Sequence, residues 1–207
     1  MAKKILSKII IFDLDGVLIN SKQNMISSWS LVKKKFNIKK SFKEYFIHLG
    51  LPFQKILEKL NIVNNKKKIE YLYKKNSLKN INKIKLYPGV KKVLKFLHKK
   101  NYILGIVTSK DHERTNKILK NHKIFNFFTF ISCPTKSIRG KPYPDQILKN
   151  IRLFNIKKNN IFYVGDTQVD STAANLAKIK FIFAKYGYGK VKTKIKINSF
   201  LEILKIV

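Results

Sequence analysis

The pattern of apolar residues along the chain indicates five short strands. Five runs are almost continuously apolar, whereas a strand with one solvent-facing side would alternate apolar and polar residues. Unbroken runs of this kind are typical of strands that are buried on both faces of a sheet. They span residues 8–12, 102–108, 128–133, 161–164 and 179–184.

Helical periodicity fills the intervals between the later runs. After Pro88 and Gly89, for example, Val90, Val93 and Leu97 keep the spacing of one helix face. Strands that alternate with helices favour an α/β fold. We therefore predict a Rossmann-like parallel sheet with helices on both faces.

The interval between residues 20 and 86 departs from this alternation. It shows helical periodicity and no strand candidate, and one helix start carries the capping-box pattern Ser41-x-x-Glu44. Roughly 65 residues is far longer than an ordinary connection between two strands. We expect a core formed by residues 1–19 and 87–207, and an inserted α-helical domain, here called the cap, formed by residues 20–86.

The charge of the chain raises the question of an anionic partner. The 207 residues carry a formal net charge of +34, a value that points to nucleic acid or an anionic membrane surface. However, 42 of the 45 basic residues are lysine, whereas proteins that read phosphates and base edges rely on arginine. We interpret the charge as compositional bias and expect no specific nucleic-acid partner. A basic nucleic-acid-binding protein stays the alternative of another class.

Other bulk features restrict the class of protein. The single cysteine, Cys133, excludes a disulfide framework and a thiolate zinc site. No stretch approaches the ~20 apolar residues that span a membrane, and the basic N-terminal segment shows no signal peptide. We expect a cytoplasmic globular protein, a monomer or homodimer, with no membrane partner.

Two carboxylates stand at the end of the first strand. The run ends Phe12-Asp13-Leu14-Asp15-Gly16, and because side chains alternate along a strand, Asp13 and Asp15 point the same way. Open α/β sheets bind their ligands at the carboxyl ends of strands. Capping of a strand end does not need two acids on one face, so we interpret the pair as functional.

The fourth strand also ends in acidic residues, in the segment Gly165-Asp166-Thr167-x-x-Asp170. Asp170 taken alone could instead be the N-cap of the following helix. The two strand ends nevertheless hold four of the 11 acidic residues in the chain. Oxygen ligands without histidine or cysteine suit a hard cation, Mg²⁺ above all.

Two further segments suggest a phosphate site. The second strand ends at Thr108 and Ser109, which offer a hydroxyl and backbone N–H groups to phosphoryl oxygens. Lys141 lies in the loop Gly140-Lys141-Pro142 ahead of a helix, and only this setting separates it from the other lysines. An ammonium group fixed there would neutralise phosphate and carboxylate charge.

Taken in order, these motifs resemble the haloacid dehalogenase superfamily. They are Asp-x-Asp-Gly at 13–16, Thr108, Lys-Pro-x-Pro-Asp at 141–145 and Gly-Asp-Thr-x-x-Asp at 165–170. Within the superfamily the chain is most similar to phosphoglycolate-phosphatase-like and β-phosphoglucomutase-like members, which carry a helical cap after the first strand. Residues 50–53 resemble the cap loop of these proteins, and residues 186–189 their segment after the last strand.

This resemblance implies a catalytic role for the acidic residues. Asp13 would be the nucleophile that forms an aspartyl-phosphate, and Asp15 would be the general acid and then the base. Mg²⁺ would be held by Asp13, the carbonyl group of Asp15 and Asp166. Asp170 would help to position these ligands without binding Mg²⁺ itself.

The resemblance also implies how the substrate is bound. Thr108, the backbone of Ser109 and Lys141 would bind the phosphoryl group. In the cap we single out His48, beside Gly50, as a candidate for substrate contact, although an ordinary histidine at a helix end would look the same in the sequence.

The resemblance separates the possible reactions. Dehalogenases lack the second acid and phosphonatase-like members usually lack it, whereas phosphatases and phosphomutases keep it. A mutase must hold a bisphosphate, and the cap contains no arginine. We therefore favour a phosphatase of a small phosphorylated metabolite, of the phosphoglycolate or sugar phosphate type. A β-phosphoglucomutase-like phosphomutase stays the alternative, and the presence of both Asp13 and Asp15 disfavours an inactive scaffold.

Overall fold

A six-stranded parallel sheet forms the centre of the protein in a computed structural model that describes residues 8–135 and 137–207. The expectation that the chain has no signal peptide falls largely on residues 1–7 and so lies outside the described residues. In chain order the strands are β1 Ile9–Phe12, β2 Ile19–Asn20, β3 Lys85–Leu86, β4 Ile103–Val107, β5 Phe130–Ser132, β6 Ile161–Gly165, β7 Lys180–Ala184 and β8 Lys196–Ile197.

β1 lies in the middle of the sheet, whose strand order is β5-β4-β1-β6-β7-β8. It pairs in parallel with β4 and β6, so that Phe12 is level with Ile106 and Val164. The predicted α/β fold class is confirmed, and each of the five predicted runs contains a strand. β8 is not among the predicted strands, because two residues leave no pattern in the sequence.

Helices pack on both faces of this sheet and on each other in the cap. In the described ranges the α-helices are α1 Lys22–Lys35, α2 Phe42–Phe46, α3 Phe53–Lys59, α4 Lys66–Lys79, α5 Val90–Lys99, α6 His112–Asn121, α7 Asp145–Ile151 and α8 Gln168–Leu176. Short 3₁₀ helices occupy Ile81–Lys83, Phe125–Phe127, Lys158–Asn160 and Phe200–Lys205. None of the helices in these ranges has the length and apolar character needed to cross a membrane.

Two apolar clusters fix the helices to the sheet. α5 and α6 cover one face, where Val93 and Leu119 pack in a cluster with Phe12. α7 and α8 cover the opposite face, where Ile147 and Ala174 belong to a second cluster. Because both faces are covered, all four residues of β1 are fully buried, and this is why its sequence is continuously apolar.

The cap helices α1 to α4 enclose an apolar cluster of their own. At its centre the ring of Trp29 stacks on Tyr45, with the ring centroids 4.6 Å apart, and Tyr45 also lies beside Phe53 and Tyr73. The hydroxyl groups of Tyr45 and Tyr73 are hydrogen-bonded at 3.0 Å. The cap therefore has a separate core rather than sharing that of the sheet.

The two chain segments that join the cap to the core pair with each other. β2 and β3 run antiparallel, with Ile19 opposite Leu86 and Asn20 opposite Lys85. The expectation of no strand within residues 20–86 is wrong at both ends of that interval, since two-residue strands are too short to show a period. The division of the chain at residues 19/20 and 86/87 falls at this ribbon and stays a prediction.

Candidate active site

Three strand ends and the cap enclose a cavity at the carboxyl edge of the sheet. Because β4, β1 and β6 are neighbours, the residues that follow them, Thr108, Asp13 and Asp166, are brought together in its wall. The enclosed volume is about 60 Å³. From the cap the wall receives the side chains of Met25, Tyr45, Leu49, Phe53, Ile56 and Tyr73.

Lys141 connects two of the strand-end carboxylates. Its side chain is fully buried, with Nζ 2.9 Å from Asp13 Oδ2 and 2.6 Å from Asp170 Oδ1. Burial lowers the pKa of Lys141, but the Asp13 and Asp170 carboxylates raise it by more, so that the pKa lies above its usual value. The lysine is therefore a fixed ammonium ion. It contacts Asp13 without forming part of the cavity wall.

Asp13 itself is almost completely buried. Burial raises its pKa to about 7, although the ammonium group of Lys141 acts in the opposite direction. One of its oxygens, Oδ1, accepts a hydrogen bond from the N–H of Leu14 at 2.7 Å. Oδ2 is the oxygen that faces Lys141, so the carboxylate has a defined orientation at the end of β1.

Asp166 has a buried oxygen with no partner. Its Oδ2 accepts a hydrogen bond from the N–H of Tyr188 at 2.7 Å, whereas Oδ1 has no hydrogen-bond partner among the described residues. Burial, followed by the charges of Asp170 and Asp13, raises the pKa of Asp166. Carboxylate oxygens of Asp13, Asp166 and Asp170 lie within 4.8 Å of one another. A buried oxygen left without a donor in an all-oxygen cluster fits a hard divalent cation.

Two glycines make room for the Asp166 side chain. Gly16 has a φ of +82°, and a Cβ at this position would collide with the Asp166 carboxylate. At Gly187, a Cβ would lie 2.6 Å from Asp166 Oδ2 and 2.6 Å from the Gly16 carbonyl oxygen. The Tyr186-Gly187-Tyr188 segment after β7 therefore packs directly against the candidate cation site.

Asp170 supports the site from the first turn of α8. The sequence also allowed Asp170 to be the N-cap of the helix. This alternative is wrong, because the N-cap is Thr167 and Asp170 is the third residue of α8. The N–H and the hydroxyl group of Thr167 donate to Asp170 Oδ2 at 2.9 and 2.6 Å. Since Oδ1 faces Lys141, Asp170 both closes the helix start and holds the ammonium ion.

Asp15 faces the same cavity as Asp13 but has different partners. Its Oδ2 lies 3.0 Å from Nζ of Lys110, and its Oδ1 accepts a hydrogen bond from the hydroxyl group of Ser21. Ser21 also donates its backbone N–H to the hydroxyl oxygen of Tyr188 at 2.7 Å. The carboxylate of Asp15 is thereby directed toward the cap side of the cavity and away from Lys141.

Thr108 and Ser109 both line the cavity. Thr108 is buried, and its hydroxyl oxygen accepts a hydrogen bond from the N–H of Lys110 at 3.3 Å. The hydroxyl group of Ser109 donates to the carbonyl oxygen of Gly50 at 2.5 Å. Ser109 therefore connects the end of β4 to the cap loop across the cavity.

Comparison with known proteins assigns this arrangement to a family. A sequence profile described as haloacid dehalogenase-like hydrolase matches residues 10–184, which include every strand end of the cavity. The chain belongs to the haloacid dehalogenase-like hydrolase family. The resemblance of the sequence motifs to this superfamily is confirmed.

Relatives of this hydrolase are similar to it over almost their whole length. A phosphoglycolate phosphatase from Aquifex aeolicus is 28% identical over 192 residues, which cover 91% of this chain and 89% of the relative. A protein of Caldanaerobacter subterraneus, provisionally named pyrophosphatase PpaX, is 26% identical over 209 residues, with coverage of 96% and 93%. The crystal structure of a protein described as a predicted phosphoglycolate phosphatase from Haemophilus somnus is 25% identical, has a TM-score of 0.88 and covers 99% of each chain.

The structure adds three residues to the site of this hydrolase to which the sequence assigns no role. Lys110 is the ion-pair partner of Asp15, Arg114 lines the cavity from α6, and Tyr188 binds Asp166 through its backbone. Lys110 directly follows Thr108 and Ser109 in the sequence, but nothing else distinguishes it, since it is one of 42 lysines. Arg114 is one of only three arginines, and this rarity is a signal that could have drawn attention to it.

His48, the candidate for substrate contact in the cap, is half-buried in the turn after α2. Its neighbours Leu49, Gly50 and Leu51 line the cavity, whereas His48 is not part of the wall. A role for His48 in substrate binding stays a prediction. The other residues predicted from the motifs, at the ends of β1, β4 and β6 and in the loop before α7, lie in the cavity wall or in contact with it.

Proposed function

We propose that this hydrolase is a Mg²⁺-dependent phosphatase that releases inorganic phosphate from a small phosphorylated metabolite through an aspartyl-phosphate intermediate. The observation that supports this most directly is that the two acids after β1 have different charged partners. Asp13 is paired with Lys141, whereas Asp15 is paired with Lys110 and Ser21, and both carboxylates face one cavity. A nucleophile and a proton-transfer group need this kind of unequal surroundings.

In the first step, an oxygen of Asp13 attacks the phosphorus atom and the bond between phosphorus and the ester oxygen breaks. Asp15 donates its proton to that oxygen, so that the alcohol leaves as a neutral molecule. In the second step, Asp15 takes a proton from water, whose oxygen attacks the phosphorus atom of the aspartyl-phosphate. Phosphate is released and the Asp13 carboxylate is restored.

The remaining residues position the phosphoryl group. Lys141 holds the Asp13 carboxylate and places a positive charge behind it, while Thr108 and the backbone of Ser109 line the cavity and offer hydrogen-bond donors. Phosphoryl transfer depends mainly on such positioning and on electrostatic stabilisation. Asp13, Thr108 and Asp166 are buried in the cavity wall, and burial strengthens their electrostatic interactions.

The residues that would hold Mg²⁺ are Asp13, the carbonyl group of Asp15, and Asp166. Asp170 would stay outside this set, because it holds Lys141 and Thr167 and does not line the cavity, whereas Asp13 and Asp166 do. When bound, the cation supplies positive charge that offsets the negative charge of the phosphoryl oxygens and the carboxylates. The oxygen of Asp166 that has no partner in the described part of the chain is the observation that favours a cation here.

A phosphatase is preferred to the β-phosphoglucomutase-like alternative for two reasons. The cap contains no arginine to hold the second phosphate of a bisphosphate intermediate. In addition, the curated relatives carry names that describe hydrolysis, phosphoglycolate phosphatase and pyrophosphatase. Phosphate release therefore describes the activity better than transfer between two positions of a sugar.

The proposed function is tested by phosphate release from a panel of phosphorylated metabolites, with and without Mg²⁺. Asp13→Asn is expected to lower the rate at least about a thousandfold, because the amide cannot act as a nucleophile. EDTA is expected to abolish phosphate release, and added Mg²⁺ to restore it.

Glu58→Gln is the matched control, since Glu58 pairs with the exposed Lys55 on the surface of the cap and does not line the cavity. It makes the same chemical change elsewhere and is expected to leave the rate unchanged. Robust turnover by a folded Asp13→Asn protein would sink the mechanism. Binding to DNA with a steep salt dependence, without Mg²⁺-dependent phosphate release, would favour a nucleic-acid-binding protein instead.

A further inference from the structure

Arg114 is a buried cation in the cavity wall that the proposed reaction does not use. Arg114 belongs to α6 of the core and is only 6% exposed, because the cap covers it. Its Cζ lies 5.5 Å from the ring centroid of Tyr73, a residue of the cap. An arginine is rarely buried to this extent without strong pairing. What the guanidinium group binds is therefore informative about the cavity.

Only one edge of this guanidinium group is held by the protein. Nε donates to Oδ2 of Asp111 at 2.6 Å, and Asp111 also caps α6 by accepting from the N–H of Arg114 at 3.0 Å. Among the described residues no hydrogen bond is found for the two terminal nitrogens. These nitrogens are the pair that binds a carboxylate or phosphate in a bidentate manner.

A second buried cation lines the same cavity. Lys110 reaches Asp15 at 3.0 Å, and its pKa is lowered by burial, raised by Asp15 and lowered again by the charge of Arg114. Lys110 and Arg114 carry like charges on the wall of one cavity, so an anion that contacts both is stabilised. Since Lys110 contacts Asp15, which would protonate the departing oxygen, this anion would lie on the leaving-group side.

The part of the wall that the cap supplies offers few polar groups to a sugar. Met25, Leu51 and Ile56 are apolar, and the hydroxyl groups of Tyr45 and Tyr73 are hydrogen-bonded to each other. A leaving group with several hydroxyl groups would lose its hydrogen bonds to water here and gain few in return. A short leaving group that ends in an anion fits the available groups better.

We propose that Arg114, assisted by Lys110, binds a second anionic group on the leaving group of the substrate and makes the enzyme select small phosphorylated substrates whose leaving group carries an anion over those whose leaving group is uncharged. This inference rests on the proposed phosphatase function. The shared chemistry is an anion one or two bonds from the scissile linkage, and it is supplied by a carboxylate in 2-phosphoglycolate or by the second phosphate in pyrophosphate.

The first test compares three substrates on the unaltered protein with Mg²⁺ present: 2-phosphoglycolate, pyrophosphate and ethyl phosphate. Ethyl phosphate has the same two-carbon chain as 2-phosphoglycolate but lacks the carboxylate. We expect kcat/KM for at least one of the two substrates with a second anion to exceed that for ethyl phosphate about ten- to a hundredfold, the effect of a charge-assisted hydrogen bond. The better of the two substrates identifies the source of the anion.

The second test removes the guanidinium group with Arg114→Met. We expect kcat/KM for the preferred anionic substrate to fall about ten- to a hundredfold, mainly through KM, while ethyl phosphate changes less than about threefold. Arg114→Lys, which keeps a positive charge, should recover part of the preference. Arg152→Met is the matched control, because Arg152 is exposed at the end of α7.

The outcomes separate this inference from the proposed function. Equal kcat/KM for all three substrates on the unaltered protein, or an equal loss on all three in a folded Arg114→Met or Arg114→Lys protein, would overturn the inference and leave the phosphatase function intact. No Mg²⁺-dependent phosphate release from any of them would overturn both. If Arg114→Met does not fold, the Arg114→Lys protein and the substrate comparison decide.

Discussion

Lys141 and Lys110 show how two residues of a very common type acquire individual roles. Among the described residues they are the buried lysines, and each lies against one of the two acids that follow β1. Burying an ammonium ion is costly unless a carboxylate compensates it. The burial of these two lysines therefore points to Asp13 and Asp15, the same two acids that the sequence motif indicates.

Gly187 gives a prediction at the scale of one residue. In Gly187→Ala, the new methyl group would displace the Asp166 carboxylate, because its Cβ would lie 2.6 Å from Oδ2. We expect the Mg²⁺ concentration for half-maximal activity to rise at least about tenfold, as it does when groups that orient metal ligands are changed. Isothermal titration calorimetry of Mg²⁺ checks the same affinity without substrate.

Asp166→Asn serves as the reference for this variant, since it removes the carboxylate itself. Circular dichroism should show that the Gly187→Ala protein is folded. If the folded Gly187→Ala protein kept the Mg²⁺ affinity of the unaltered protein, this would contradict the assignment of Asp166 as a ligand.

At the scale of elements, the short helix α2 is held by its first turn. The hydroxyl oxygen of Ser41 accepts from the N–H of Glu44 at 3.2 Å, and Glu44 Oε2 accepts from the N–H of Ser41 at 2.8 Å. The capping box expected from the sequence is thus present. It matters for the site because the chain continues from α2 into Leu49, Gly50 and Leu51, which line the cavity.

The capping box predicts a pH dependence of stability. The hydrogen bond from the backbone of Ser41, followed by Lys40 and the Ser41 hydroxyl group, lowers the pKa of Glu44 to about 2. Because the folded pKa is depressed, the stabilisation is present above the ordinary pKa and is lost as the pH falls toward 2. We expect Glu44→Gln to have a lower urea midpoint than the unaltered protein near neutral pH, and the difference to shrink between about pH 4.5 and 2.

Lys43→Gln is the control for this measurement, since it changes an exposed residue of the same helix outside the capping box. It should shift the midpoint by an amount that does not depend on pH in that interval. A Glu44→Gln difference that stayed constant down to pH 2 would contradict the role of the charged carboxylate.

How far the sequence predicts these elements depends on what each pattern reports. The central strands are buried on both faces, and their apolar runs report this directly; β2, β3 and β8 have two residues each and leave no pattern. The acidic residues are predictable because acids are rare in this chain. Lys110 is not predictable, because it is one of 42 lysines, and Arg114 has only its rarity as a signal, since its place under the cap depends on how the cap packs against the core.

At the scale of the whole molecule, the cap is closed over the site. The hydroxyl group of Ser109 on the core side donates to the carbonyl oxygen of Gly50 in the cap, and Arg114 lies against Tyr73 of α4. A cavity of about 60 Å³ holds only a few water molecules. We expect the cap to move relative to the core when substrate enters and product leaves.

The net charge of +34 predicts how substrate reaches the cavity. Most of the lysines are on the surface, so the protein attracts anions over distances that salt shortens, from about 30 Å at 0.01 M to about 8 Å at 0.15 M ionic strength. We expect kcat/KM to fall between 20 and 200 mM NaCl by about three- to tenfold, while kcat stays nearly constant.

Equimolar sucrose in place of NaCl is the control, because it changes osmolarity without adding ions. A kcat/KM that does not respond to NaCl would show that the surface lysines do not contribute to substrate capture. A parallel fall of kcat would instead place the effect of salt inside the closed site.

Tyr188 contacts both the cation site and the base of the cap. Its backbone N–H binds Asp166, and its hydroxyl oxygen accepts from the N–H of Ser21, at the point where β2 leads into α1. We expect this residue to couple the candidate cation site to the cap. If cation binding changes the free energy of cap closure, thermodynamic reciprocity requires that closure changes the cation affinity by the same factor.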